Sequence, residues 1–288
     1  LVDGTLQYSP DGFTRRHHQR RWSYIATALV SLFIAALFLL IPSNKSSSSK
    51  ARLQEPLSQS TQQDSLATPL ALPATMSPND RLDALLSAFK QANPSFNGQI
   101  TPFFENEELR GLAIAGKGVV DLNPLRIVDP INSLMIADES NVFDPKEIDL
   151  SPLKGTRLKS LNLGFNYQTS DVEALRGMPM VQLNLNYSPV TNLEPLTGMP
   201  LQQLWLWHWK GSDLAPLRGM PLTHLNVGGN QLPMDLSPLS ESPLVYLCVN
   251  ISQVSDVEPL RGLPLQTFFC SNTQVSDLSP LQDCPLED

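Results

Sequence analysis

Charge is what this chain has least of. Asp, Glu, Lys and Arg make up 17% of its 288 residues, below the ~25% of an ordinary soluble domain. That excludes a polyelectrolyte kept unfolded by self-repulsion. Basic residues are the scarcer sign, 20 against 28 acidic, for a formal net charge of -8. A nucleic-acid binder needs the opposite balance, so none is expected as partner. Three Cys are too few, and odd in number, for a disulfide framework, and no disulfide is expected. The four His, His17, His18, His208 and His224, do not stand at ligand spacing with any Cys or carboxylate pair, so no metal site is expected. The sequence contains no G-x-S-x-G, P-loop or H-E-x-x-H signature, and neither an enzyme nor a cofactor is read from it.

Proline, by contrast, is abundant. The 25 prolines approach twice the usual ~5%. They exclude a helix bundle, because an interior Pro costs a helix about 3 kcal/mol. Charge is also uneven along the chain. Residues 1–22 carry a net +2, residues 43–78 a net +1, and residues 79–288 a net -11.

Residues 24–41 form an uncharged run, YIATALVSLFIAALFLLI. As a helix its 18 residues would span about 27 Å, close to the hydrocarbon thickness. RRHHQRR precedes it at 15–21, with Trp22 and Tyr24 at the same edge, and Pro42 and a Ser run follow. The positive-inside rule then predicts a cytoplasmic segment over 1–22, a transmembrane helix over 23–42 and an extracytoplasmic remainder. A cleaved signal peptide fits less well, for the apolar core is long and no small-x-small cleavage site follows it. Residues 43–78, rich in Ser, Gln, Thr and Pro without apolar periodicity, read as a disordered linker. An N-terminal helical cap is expected over 79–108. Leu82, Leu85, Leu86 and Phe89 form one stripe at helical spacing, Asn79 is the expected N-cap, and Asn93-Pro94 is the stop.

From Leu109 the sequence repeats. Units begin at Leu109, Ile131, Leu158, Met180, Leu201, Leu222, Leu244 and Leu265. Their pattern is L-x-x-L-x-L, a polar stretch, then D-L-x-P-L-x-x-x-P. The alternating leucines predict a short strand with every second side chain inward. The Asp column runs Asp121, Asp149, Asp171, Asp213, Asp235, Asp256 and Asp277, with Asn192 in the fourth unit. These side chains can accept a backbone N–H and open a helical or 3₁₀ turn, where the following Pro loses no donor. One unit cannot bury its own leucine rows, but stacked units can. The expected architecture over 109–288 is an α/β solenoid: a parallel concave β-sheet with short 3₁₀ or α turns on the convex side. The pattern resembles bacterial leucine-rich repeats of the internalin-like kind; over eight copies that resemblance is specific for the fold and implies much less about function. The start at Leu1 rather than Met, and the stop at Leu286 inside the opening of a ninth unit, suggest a piece of a longer protein.

In such a solenoid the third, fifth and seventh positions of each unit line the concave face. None of these 24 positions is Asp, Glu, Lys or Arg, where about four are expected from composition. The third column includes Gln203, His224 and Tyr246. The fifth includes Asn184, Trp205, Asn226, Cys248 and Phe269, and the seventh includes Asn186 and Trp207. These ten residues are the candidate ligand-binding set. Aromatic side chains give contact area at low entropic cost, and amides give adaptable hydrogen bonds. A protein or peptide suits the strip best, a carbohydrate less well. The bland alternative is that stacked strands exclude rows of like charge whatever their function, and that the aromatics pack on one another. Trp209 and Cys270, at inward positions, are expected in the core.

The layout is also similar to bacterial receptor-like Ser/Thr kinases, in which a cytoplasmic kinase domain precedes one membrane helix and a leucine-rich C-terminal part. Residues 92–98, ANPSFNG, look like the lead-in to their repeats. The kinase motifs themselves are absent from this sequence. The functional expectation is a membrane-anchored repeat head that binds a partner on its concave face. The alternatives are a non-catalytic sensor portion of such a kinase, or a structural envelope spacer.

Overall fold

The computed structural model describes residues 76–128, 130–137, 148–165 and 169–287. The expected cytoplasmic segment 1–22, the membrane helix 23–42 and the linker up to residue 75 lie outside the described residues. Among the described residues no helix is long and apolar enough to cross a membrane.

Order begins with helix α1 (Pro78–Ala92). Its cap is Ser77 rather than Asn79. Ser77 Oγ accepts the Asp80 backbone N–H at 3.2 Å and donates to Asp80 Oδ2 at 2.8 Å. Pro78 can then open the helix, since a first-turn residue needs no amide donor. The apolar stripe behaves as its spacing predicts: Leu85 and Phe89 are fully buried and Leu82 packs beside them. They lie against the first 3₁₀ turn, Asn123–Val128.

Asn93 fastens this helix to the repeats. It is buried, and both ends of its amide are used. Nδ2 donates to Phe89 O at 3.0 Å and Asp121 O at 2.9 Å, while Oδ1 accepts from Val120 N at 2.8 Å and Asp121 N at 2.9 Å. A side chain with two donors and two acceptors meets four backbone partners.

The region 79–108 is not helical throughout. Strand β1 (Gln99–Glu105) pairs antiparallel with β2 (Glu108–Ala115) through a tight turn at Asn106 and Glu107, both at positive φ. A two-residue turn of this hand suits the twist of a hairpin. Seven further strands follow in parallel: β3 (Ser133–Ala137), β4 (Ser160–Asn162), β5 (Gln182–Asn184), β6 (Gln203–Trp205), β7 (His224–Asn226), β8 (Tyr246–Cys248) and β9 (Thr267–Phe269). The sheet order is sequential, so each strand bonds only to its chain neighbours. Register is strictly in phase from Gly111↔Ser133 to Tyr246↔Thr267, which aligns the repeat columns read from the sequence.

The eight 3₁₀ turns among the described residues sit where the Asp column predicts. Asp149, Asp171, Asp213, Asp235, Asp256 and Asp277 each accept the N–H two residues on at 2.8 Å, and Asn192 does the same at 2.9 Å. These are Asx-turns, the intrinsic habit of a short acidic side chain at a turn. Between sheet and turns the leucine rows form one continuous core. Leu161, Leu183, Leu204, Leu225 and Leu247 are no more than 1% exposed, and Trp209 is buried with them. Each such leucine contributes roughly 1.5–3 kcal/mol relative to exposure.

The final unit departs from this. Leu278 is 53% exposed, while Leu236 at the same column is 1% exposed. Cys270, expected in the core, is only partly buried for the same reason: no described unit covers its outer side.

Replacing Asn93 with Ala is expected to destabilise the head by about 1–3 kcal/mol, since the Asp121 carbonyl and the Val120 and Asp121 amides lose this partner, while Phe89 O keeps its bond from the backbone N–H of residue 93. Asn93→Asp should cost nearly as much, because a carboxylate cannot donate to the Phe89 and Asp121 carbonyls. Urea denaturation of the full chain, followed by circular dichroism, measures both.

Candidate functional site

The ten candidate residues share one surface because the strands are in register. Asn184, Gln203, Trp205, His224, Asn226, Tyr246, Cys248 and Phe269 lie on β5 to β9. Asn186 and Trp207 lie two residues past the ends of β5 and β6. The structure divides the set by the work each side chain does.

The asparagines hold the frame. Asn184 Oδ1 accepts the N–H of Asn186 at 2.9 Å, and Asn226 Oδ1 accepts that of Gly228 at 3.0 Å. Asn186 Oδ1 reaches across to the next unit and accepts the N–H of Trp207 at 2.7 Å. Asn250 repeats this with Ser271 at 2.6 Å. These oxygens satisfy amides where the three-residue strands end and ladder bonds run out. Gln203 accepts from Gln182 Nε2 at 3.2 Å, a ladder contact between neighbouring units. The amide character of the strip is therefore largely structural.

The aromatic residues have no such duty. Trp205 and Phe269 occupy the fifth column, where other units use Asn to tie the strand end. Trp207 stands in the seventh column, where the unit before it has Asn186 and the unit after it Gly228. Phe269 is 44% exposed, and Trp205, Trp207, His224 and Tyr246 are half-buried. Four of them fall into two groups. His224 stacks on Tyr246, with ring centroids 5.9 Å apart at 18°, and Tyr246 meets Phe269 edge-on at 5.8 Å. Trp207 spans three units: Nε1 donates to Tyr187 Oη at 3.2 Å, and the ring lies over Gly228, where a Cβ would fall inside it.

Cys248 shares the strip in sequence but not in accessibility: it is buried, with 4% exposure. Burial pushes both the Cys248 thiol and the Tyr246 phenol up, so both stay neutral. Burial pushes the His224 imidazole down, which favours its neutral form. The three cysteines are free thiols. Among the described residues no group of three His, Cys, Asp or Glu is placed to hold a metal ion.

Sequence reasoning missed one row. The eighth column, just past Trp207, reads Phe165, Tyr187, His208, Gly229, Ile251 and Asn272, and all six residues have positive φ. For aromatic and β-branched residues that conformation is strained. It persists because each of the first five donates its N–H to a seventh-column carbonyl of the next unit, as in Tyr187 N to Trp207 O at 2.8 Å and His208 N to Gly228 O at 2.9 Å. The turn throws these side chains onto the rim of the concave face. Phe165 stacks on Tyr187 at 4.8 Å, and Tyr187 on His208 at 4.7 Å. Phe165 and Ile251 remain about 40% exposed. The signal was present in the sequence: Phe165, Tyr187 and Ile251 stand in this column where the turn pattern calls for polar residues.

No protein-family model matches the chain, and no curated protein matches it significantly by sequence. Solved structures do. Internalin C2 from Listeria monocytogenes strain 4b F2365 is 28% identical, with a TM-score of 0.55, over 70% of this chain and 90% of its own. The internalin InlF of the same strain is 22% identical, with a TM-score of 0.50, over 74% of this chain and 71% of its own. The chain carries internalin-like leucine-rich repeats, as its sequence pattern implied.

Gly228→Ala is expected to displace the Trp207 ring and break its bond to Tyr187. The cost is about 1–3 kcal/mol, as for other overpacked contacts. Loss of tryptophan signal in near-ultraviolet circular dichroism reads the displacement; Gly219→Ala, whose Cβ would meet open space but whose φ of +70° strains an L residue, should cost about 1–2 kcal/mol while leaving that signal unchanged.

Proposed function

We propose that this chain is a membrane-anchored binding protein whose repeat head takes a protein partner on the C-terminal half of its concave face. The observation that carries the reading is the division of labour within the strip. Asparagine oxygens are engaged by backbone amides, while Trp205, Trp207, Tyr246 and Phe269 stand at positions that this duty leaves open. Aromatic residues presented together on a rigid sheet are the usual anchors of protein interfaces. The rim residues Tyr187 and His208 extend the same apolar surface around the edge. Internalin-like architecture supports a binding role, and the concave columns carry no Asp, Glu, Lys or Arg.

The anchor is argued from sequence alone: the uncharged run 24–41 and its basic N-terminal flank. In this reading the head is extracytoplasmic and residues 1–22 are cytoplasmic. The receptor-kinase layout is a further proposal of the same standing, and the genomic sequence upstream of Leu1 tests it directly.

Two outcomes follow. The full chain should remain in the membrane pellet after alkaline carbonate extraction, and removal of residues 23–42 should release it. In cross-linking followed by mass spectrometry in the source cells, the wild-type head should give cross-links to one dominant partner. The double substitution Trp205→Ala and Trp207→Ala should reduce them at least tenfold, as expected for loss of about 1.4 kcal/mol or more. Equal cross-linking by the double variant would favour the spacer reading.

A further inference from the structure

His224 is the one imidazole among the 24 positions of the concave columns. It lies on β7, half-buried, with Gln203 of β6 and Tyr246 of β8 as its in-register neighbours. Its ring is stacked on Tyr246 and, through it, adjoins Phe269. The Nδ1 atom lies 3.0 Å from Thr223 Oγ1, and the same hydroxyl lies 3.0 Å from Gln202 O. Thr223 can therefore serve either protonation state. It donates to Nδ1 of a neutral ring, or it accepts from Nδ1–H of an imidazolium while donating to the carbonyl. The ring can gain a proton without leaving its place.

Among the described residues, the strands on either side of the ring supply no counter-charge. β6 presents Gln203 and Trp205, β8 presents Tyr246 and Cys248 in their neutral forms, and β9 presents Thr267 and Phe269. None of these is charged at neutral pH.

We propose that His224 makes the concave face proton-sensitive: the neutral imidazole belongs to an uncharged aromatic surface that holds a partner, and the imidazolium drives that partner off. This rests on the concave-face reading above. A partner covering the ring removes it further from water, which disfavours the charged form. Binding must then release a proton, and affinity falls as pH falls, by at most about tenfold per pH unit for one site. The sign for folding is the same. Burial lowers the imidazole value below its ordinary 6.5, so the contribution of His224 to stability is full above that value and is lost as pH falls through the lowered one.

Two measurements on the full chain in detergent micelles test the proposal. The first needs no ligand: histidine ring resonances are titrated by NMR, with His224 assigned by its loss in His224→Phe. Its midpoint should lie below the ordinary imidazole value, and Thr223→Val should lower it further, because the imidazolium loses its acceptor. A midpoint at or above the ordinary value overturns the proposal. The second uses a random linear peptide library displayed on phage, captured at about pH 7.5 and washed at about pH 5. Captured phage should be shed at acid pH from the wild type. They should be retained by His224→Phe and by His224→Gln, the second variant guarding against a packing defect in the first. Acid shedding that is equal from wild type and both variants overturns the proposal while leaving the binding face intact. Failure to capture any peptide through Trp205 and Trp207 overturns the binding reading and the release claim together, while the ring titration separately judges whether the imidazole responds to protons.

Discussion

The structure depends on phase. Each unit hands its backbone donors to the next, and it can do so only if every strand meets its neighbour without slipping. The register from Gly111↔Ser133 through Tyr246↔Thr267 never shifts. A slip of one residue would turn the leucine row outward and the concave row inward, because strand side chains alternate. The three-residue strands are too short to enforce this by themselves. The Asx-turns on one side, once per unit, and the asparagine contacts on the other, in the units that carry Asn162, Asn184, Asn186, Asn226 and Asn250, do so by fixing where the chain enters and leaves the sheet.

That constraint explains what was legible in the sequence. The leucine rows, the Asp column and the paired prolines are all demanded by repetition, so they announce themselves at a period of 21 or 22. Features that occur once were harder to read. Strand β1 contains Pro102 and is joined to β2 by Asn106-Glu107 rather than by a glycine turn. Ser77 replaced Asn79 as the cap because Pro78 is better suited to the first helical position than to the one before it. Asn93 looked like a stop signal and turned out to be a four-way clasp between helix and solenoid.

The candidate site was legible in position but not in role. Counting alternate residues placed all ten side chains on one face. It could not show that Asn184, Asn186 and Asn226 turn their oxygens toward backbone amides, because that depends on strands ending after three residues. Nor could it show that Cys248 is covered. The rim row of Phe165, Tyr187 and His208 escaped for a different reason. Bulky residues at positive φ run against local preference, and only the hydrogen bond from each unit to the next makes the conformation tolerable.

The second unit is 27 residues long, against 21 or 22 for most others, yet β3 meets β4 in the same alignment as any other pair. Extra chain inserted between a strand and the following turn is absorbed without disturbing the coil on either side. The number of residues between β3 and the following 3₁₀ turn is thereby uncoupled from the alignment of the strands, and the stack tolerates a longer unit without a step in its sheet.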